Sequence, residues 1–192
     1  YFGVRNAFAL TNATNALDLV ALLSGISDND EIIMPAHTFC ASAYPFGRVG
    51  AKLVWADIDP DSRLIDPKSI KRLITSKTKA IQVVHLYGLP CEMDEIQDIC
   101  LENELILIED CAQSFGAEYK GKKTGTFGDF SVFSLHAQKN ITTLGEGGIL
   151  LLKNDKLAQK VPGLRHHGLC EFDIENREYW QPAMSNVDCQ LD

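Results

Sequence analysis

The stretch Leu105-Ile106-Leu107-Ile108-Glu109-Asp110 decides the fold, because four successive apolar residues lead directly into two acids. A short run that is apolar on both faces is typical of a strand buried in a parallel sheet. Such runs alternate along the chain with segments whose apolar residues have helical spacing, and this alternation predicts an α/β fold with a mostly parallel sheet and helices on both faces. The predicted strands are 7–10, 32–34, 52–55, 79–85, 105–108 and 131–133; the predicted helices are one that follows 11–14 and closes at 25, then 36–47, 66–73, 92–103 and 156–164.

Composition and charge narrow the classes of function. The chain has 192 residues, 45% of them hydrophobic, and a formal charge of −8 without any basic run. This much apolar material supports one globular domain over 1–192. Nucleic acids and anionic membranes attract clustered Lys and Arg, so neither is expected as a partner. The apolar runs fall short of the roughly 18–20 residues of a membrane span, and we expect a cytoplasmic protein that binds a small ligand.

The cysteine pattern favours reduced, structural thiols. The six cysteines form no C-x-x-C pair, and most stand in apolar or helical segments rather than in turns. Zinc ligands occur at short, paired spacing, which these residues do not offer, so no metal site is expected. The cysteines are Cys40, Cys91, Cys100, Cys111, Cys170 and Cys189.

Two charged side chains follow predicted strands. Asp110 ends the most apolar strand of the chain, where a carboxylate is costly to bury unless it meets a cation or a strong donor. Alternatively, Asp110 caps the segment that follows. Lys139 comes just after the strand 131–133, and by itself it is typical of a solvated lysine in a polar loop.

Other strand ends carry polar and aromatic residues. Thr11, Asn12 and Thr14 can cap a helix whose first turn offers free N–H groups to a phosphate, although an ordinary capped helix is the simpler explanation. Phe39 follows the strand 32–34, where ligand clefts open in α/β sheets, or it packs in the core. An acid for a pyridinium, a lysine for an aldehyde and hydroxyls for a phosphate would meet at one sheet edge, and pyridoxal phosphate requires that set.

Three phrases of the sequence carry a resemblance to a known family. They are TNATNAL (11–17), IIMPAHTFCASA (32–43) and IEDCAQSFGAEYKGKKTGTFGDFSVFSLHAQKNITTLGEGG (108–148). In this order they resemble the sugar aminotransferases of the DegT/DnrJ/StrS family, which are fold-type I pyridoxal phosphate enzymes. The resemblance extends from Gly3 to about Gly168. It implies that 1–192 is the three-layer α/β/α large domain, and that the family's smaller C-terminal domain is not in this chain.

The resemblance implies roles for individual residues. Lys139 would form a Schiff base with pyridoxal phosphate and move a proton between cofactor and substrate. Asp110 would pair with the pyridine nitrogen, and Gln113 would bind near the ring hydroxyl. Ser134 would hold the phosphate, and Phe39 would stack on the ring.

Five further positions follow from the same resemblance. Ala13 and Thr14 stand where the family usually has Gly-Thr, whose backbone amides bind phosphate, so the alanine is a departure from the pattern. His85, Tyr87 and His136 correspond to positions near the substrate cavity in such proteins.

The resemblance also implies an activity. An amino group would pass from glutamate through pyridoxamine phosphate to a keto sugar, usually nucleotide-linked, for surface polysaccharide or deoxyamino-sugar biosynthesis. The enzyme would be a homodimer with shared active sites. One alternative is a sugar dehydratase that uses the same cofactor; those relatives have histidine at the lysine position, so Lys139 argues against it. Another is a non-catalytic regulator that retained the fold.

Overall fold

A computed structural model describes residues 1–166. Tyr1–Lys153 forms one compact unit, and a second unit begins at Asn154. Within 1–166, no helix has the length and the apolar character that crossing a membrane requires. Cys170, Cys189 and the stretch 170–192, for which the sequence predicts no element, lie outside the described residues.

A seven-stranded sheet forms the centre of the first unit. Its strands are β1 (Asn6–Leu10), β2 (Glu31–Pro35), β3 (Lys52–Ala56), β4 (Thr78–Val84), β5 (Ile106–Asp110), β8 (Phe130–Ser134) and β9 (Gly148–Leu152), while β6 (Glu118–Tyr119) and β7 (Lys122–Lys123) form a separate hairpin. The order is β1-β9-β8-β5-β4-β2-β3. Only β9 runs against its neighbours, so the other six strands end at one shared edge, which we call the carboxyl edge.

Helices flank this sheet. The first unit contains α1 (Ala13–Leu23), α2 (Tyr44–Arg48), α3 (Pro67–Leu73) and α4 (Met93–Glu102), and the second begins with α5 (Asp155–Ala158) and α6 (Val161–Leu164). A buried cluster joins Ile81 of β4 to Ile70 of α3 and Ile96 of α4. The first helix, α1, packs against β8 and β9. The prediction of an α/β fold with a mostly parallel sheet flanked by helices is confirmed.

Two predicted helices are wrong in extent. In place of a helix over 36–47, Phe39 has extended backbone, a single 3-10 turn covers Cys40–Ser42, and α2 begins only afterwards. The predicted helix 156–164 is divided into α5 and α6. A proline lies in the first turn of both α2 and α6, where its fixed φ and missing N–H are tolerated, whereas the interior of a longer helix would lose a hydrogen bond there.

Candidate active site

The carboxyl edge brings the predicted residues together because it is the point at which six strands end. Asp110 is the last residue of β5 and Ser134 the last of β8, the next strand in the sheet. Gly148 begins β9 opposite Ser134 on one side and opposite Leu10, the last residue of β1, on the other. The start of α1, which follows β1 directly, therefore lies two strands from Ser134, at about 10 Å in the direction across the sheet.

Asp110 is a buried carboxylate with only neutral hydrogen-bond donors among the described residues. It is 4% exposed. The hydroxyl of Ser42 donates to Oδ2 at 2.7 Å, and the amide of Ala112 donates to Oδ1 at 3.0 Å. Burial raises the pKa of Asp110 above its ordinary value, even though these two hydrogen bonds and the charge of Lys139 act in the opposite direction. A cationic ligand would stabilise this carboxylate.

Ser134 is buried and has a hydroxyl proton available. Its Oγ accepts a hydrogen bond from the backbone N–H of His136 at 3.3 Å, which leaves the O–H to donate to a ligand. Gly148, which pairs with Ser134 in the sheet, lies too close to the start of α1 to carry a side chain. A Cβ at this position would lie 2.5 Å from the carbonyl oxygen of Asn12 and 2.8 Å from the amide nitrogen of Ala13. Glycine is therefore required for α1 to begin so close to β9.

The first turn of α1 presents free amides. Asn12 is the N-cap, and its side chain accepts from the amide of Asn15 at 2.8 Å. The amides of Ala13 and Thr14 precede the first intrahelical bond, which runs from the amide of Ala16 to Asn12. These two N–H groups and the positive end of the helix dipole suit an anion, and the alanine at 13 does not remove its own amide.

Lys139 lies in the connection between β8 and β9. Its backbone N–H donates to the carbonyl of His136 at 2.9 Å, which closes a tight turn, and its side chain is half-buried. The positive charge of this side chain acts on Asp110. His136 itself is half-exposed, with Nε2 3.5 Å from Glu146. Lys139 thus lies in a loop, as its sequence position predicts, and is partly buried there.

Gln113, Tyr87 and Phe39 also lie beyond the carboxyl edge. The side-chain oxygen of Gln113 accepts from the backbone N–H of Tyr87 at 2.7 Å, so its NH₂ group remains to donate. Tyr87 has a left-handed backbone with φ of 56° and is 74% exposed. Phe39 is 69% exposed, so the alternative of core packing is wrong for this ring.

His85 does not lie where a substrate contact was expected. It has no exposed surface; its Nε2 is 3.0 Å from Glu109, and its Nδ1 accepts the amide proton of Cys91 at 3.1 Å. Val84 pairs with Asp110, so the residues that follow and precede these two, His85 and Glu109, project from the opposite face of the sheet. A buried ring with both nitrogens occupied cannot contact a substrate at the carboxyl edge.

Glu109 is the centre of that opposite face. Besides His85, it accepts hydrogen bonds from the amides of Gly125, Phe127 and Gly128 and from the hydroxyl of Ser131, at 2.7–3.2 Å. Burial alone would raise the pKa of Glu109, but the hydrogen bond from His85 and those from the amides lower it below the ordinary value. This carboxylate is charged and fully satisfied.

His85, Glu109 and Cys111 lie together in the folded protein, although their spacing in the sequence did not suggest this. One ligand atom from each lies within 4.8 Å of the others, as a metal site would require. However, Glu109 already accepts five hydrogen bonds, and burial raises the pKa of the Cys111 thiol to about 12. We therefore interpret this group as a structural hydrogen-bond network. Of the four cysteines within 1–166, all are free and only Cys40 is exposed.

Comparison with known proteins identifies the same family that the three sequence phrases resemble. The DegT/DnrJ/EryC1/StrS aminotransferase family matches residues 1–188. A GDP-perosamine synthase of Caulobacter vibrioides is 43% identical over 184 residues, which are 96% of this chain and 48% of that protein. The chain thus spans about half the length of the curated relatives it matches.

Solved structures share the fold. An aminotransferase from Psychrobacter cryohalolentis has a TM-score of 0.89 at 34% identity, over 97% of this chain and 47% of that one. An E. coli GDP-4-keto-6-deoxy-D-mannose-3-dehydratase, solved with bound hydrated PLP, has a TM-score of 0.82 at 32% identity, over 88% of this chain and 44% of that one.

Proposed function

The chain belongs to the DegT/DnrJ/EryC1/StrS aminotransferase family, and from that premise we propose that it is the cofactor-binding large domain of a pyridoxal phosphate-dependent aminotransferase. The amino group passes from glutamate to a keto sugar linked to a nucleotide. The product serves surface polysaccharide or deoxyamino-sugar biosynthesis in the cytoplasm. The domain covers 1–192, and the working enzyme is a homodimer.

The buried carboxylate of Asp110 is the observation that carries this proposal. Its direct donors among residues 1–166 are neutral, and burial raises its pKa, so a protonated ring nitrogen would supply the positive partner that is otherwise missing. The hydroxyl of Ser134 and the amides of Ala13 and Thr14 offer donors for a phosphate on the same edge. The residues present therefore fit a cofactor that carries both a pyridinium and a phosphate.

We assign two tasks to the amino group of Lys139. It attaches the cofactor covalently, and it later holds the proton that moves at the reacting carbon of the substrate. When bound, pyridoxal phosphate supplies a ring that accepts the electron pair released when that carbon loses its proton. Gln113 keeps an NH₂ group to donate to the ring substituents, and the exposed ring of Phe39 is available for stacking.

Two residues of this chain are candidates for contacts with the substrate. Tyr87 and His136 lie at the carboxyl edge with exposed surface, and we propose them as sugar contacts. The class of sugar follows from relatives whose names specify GDP-perosamine and UDP-linked amino sugars. Leu144 is 92% exposed and Ile141 44% exposed, in the same connection as Lys139. Such apolar exposure beside the site supports a second copy of the chain as its cover.

A dehydratase is the second candidate, because a dehydratase structure shares the fold and carries PLP. Lys139 argues for the aminotransferase, since the resemblance implies histidine at this position in the dehydratases. A protein that binds cofactor without turnover is the third.

One experiment separates the three candidates. The full-length protein is incubated with pyridoxal phosphate, glutamate that carries a heavy nitrogen isotope, and a panel of nucleotide-linked keto sugars, and the products are analysed by mass spectrometry. Isotope in the sugar product supports the aminotransferase. A sugar product that has lost one oxygen, because a hydroxyl is replaced by hydrogen, and that carries no isotope identifies a dehydratase. A cofactor absorbance that glutamate never changes identifies a binding protein.

A further inference from the structure

Ser42, which the sequence did not single out, contacts the central carboxylate of the site. It ends the 3-10 turn Cys40–Ser42 and is 2% exposed. Its hydroxyl donates to Oδ2 of Asp110 at 2.7 Å. A hydroxyl that donates to a carboxylate at this distance makes a charge-assisted hydrogen bond, which is stronger than a bond between neutral groups.

Two other elements hold Ser42 in place. The hydroxyl of Thr38 lies 2.7 Å from that of Ser42, and because the Ser42 proton points to Asp110, Thr38 must be the donor in this contact. From β4, the fully buried Gln82 donates its side-chain N–H to the carbonyl of Ser42 at 3.0 Å. Val84 pairs with Asp110, so Gln82, two residues before Val84, projects from the same face as Asp110. Hydrogen bonds thus fix both the backbone of Ser42, through Gln82, and its hydroxyl, through Thr38 and Asp110.

Among residues 1–166, Ser42 is the one side chain that donates a hydrogen bond to the Asp110 carboxylate. The only other direct donor among residues 1–166 is the amide of Ala112, which bonds to the other carboxylate oxygen. Among the described residues, the titratable groups that act most strongly on Asp110 are Lys139, from the β8–β9 connection, and His85, after β4. Neither of them donates a hydrogen bond to the carboxylate within this part of the chain.

We propose that Ser42 is a positioning residue for the cofactor, which holds the Asp110 carboxylate in one orientation and stabilises its negative charge for a protonated ring nitrogen. The inference rests on the proposed function and adds to it a residue with no predicted role. It also requires that Thr38 acts through Ser42, since its hydroxyl donates to the Ser42 oxygen.

The first test needs no cofactor. Selective carbon-13 labelling and NMR follow the titration of the Asp110 carboxyl in wild-type protein and in Ser42→Ala. We expect the midpoint to rise in Ser42→Ala, because the ionised form loses a donor, and to return towards wild type in Ser42→Thr, which keeps the hydroxyl. The matched control is Ser69→Ala, which removes an equally buried hydroxyl that accepts from the amide of Asp57 at 2.9 Å, just after β3, three strands away from β5. This control should leave the Asp110 titration unchanged.

The second test measures the dissociation constant for pyridoxal phosphate by fluorescence. Loss of a hydrogen bond to a charged group predicts about 10-fold to 100-fold weaker binding in Ser42→Ala, with no change in Ser69→Ala. If Ser42→Ala fails to fold, Thr38→Val tests the same series of hydrogen bonds. It should raise the midpoint of the Asp110 titration and weaken cofactor binding in the same direction, but by less.

The outcomes separate the two proposals. An Asp110 titration that is identical in wild type, Ser42→Ala and Thr38→Val overturns the positioning role, whatever the cofactor does. A wild-type protein that does not bind pyridoxal phosphate contradicts the proposed function alone, because the titration involves no cofactor.

Discussion

Gly148→Ala tests whether the close approach of α1 to β9 is necessary for phosphate binding. The added Cβ would lie 2.5 Å from the carbonyl oxygen of Asn12 and 2.8 Å from the amide nitrogen of Ala13. These are backbone atoms, so no side-chain rotation can relieve the clash. The first turn of α1, the edge of β9, or both must move.

The expected loss in the free energy of unfolding follows from this geometry. Overpacking that forces a backbone shift typically costs about 1–3 kcal/mol. In a protein of this size each kcal/mol lowers the melting temperature by about 2–4 °C. The same shift would move the amides of Ala13 and Thr14 away from Ser134, so affinity for a phosphate-bearing ligand should fall together with stability.

Gly145→Ala is the matched control. Gly145 precedes β9 in the same connection, and a Cβ there would meet nothing within 4 Å. The assay measures melting temperature without ligand and the dissociation constant for pyridoxal phosphate in both variants. Gly148→Ala should be impaired in both measurements and Gly145→Ala in neither. If the two variants behave alike, the close contact between α1 and β9 does not matter, and the phosphate site lies elsewhere.

Three further predictions concern charged residues. Lys139→Ala should abolish transamination and the visible absorbance of bound cofactor, whereas Lys77→Ala, an exposed lysine after α3, should keep both; retention of both in Lys139→Ala would refute the assignment. Asp110 has a raised pKa, so its contribution to stability is present below the ordinary aspartate value of 3.8 and is lost as pH rises through the raised one. Asp110→Asn should therefore be more stable than cofactor-free wild type above that range in thermal melts, yet bind pyridoxal phosphate less tightly, and equal melting curves at all pH values would contradict this. Glu109 has a lowered pKa, so its contribution is present above the ordinary value of 4.5 and is lost as pH falls through the lowered one. Glu109→Gln should cost about 3 kcal/mol at neutral pH in denaturant unfolding and lose this acid dependence, whereas an unchanged acid transition would show that Glu109 is not its source.

The fold could be predicted largely from sequence because its strands are unusually apolar. The run 105–108 is apolar on both faces and the segment 79–85 is mostly apolar, and both are buried from Leu107 and Ala80 onward, as a strand covered on both sides requires. The predicted helix 36–47 failed because its apolar spacing does not reveal how α2 begins. Pro45 can lie in the first turn of a helix as easily as it can interrupt one, and local pattern does not distinguish these cases.

Site residues divide in the same way. The positions of Asp110, Ser134 and Lys139 could be predicted at one edge because each follows a strand, and parallel strands end together. His85 also follows a strand, but it projects from the opposite face and contacts Glu109. A shift of one residue along a strand reverses the face, and sequence alone locates strand ends less accurately than that.

The stretch from Leu105 to Asp110 by itself indicated a buried strand that ends in two adjacent acids at a sheet edge. The reason is that burial of apolar side chains is favourable, and the two acids end the apolar run. It could not determine what each acid would do. Tertiary structure gave Asp110 the hydroxyl of Ser42, 68 residues away in the chain, and gave Glu109 a histidine and three amides on the other face. Hydrogen bonds to a buried carboxylate depend on which distant groups the folded backbone brings within about 3 Å, and that proximity is a property of the packed chain and not of any local pattern.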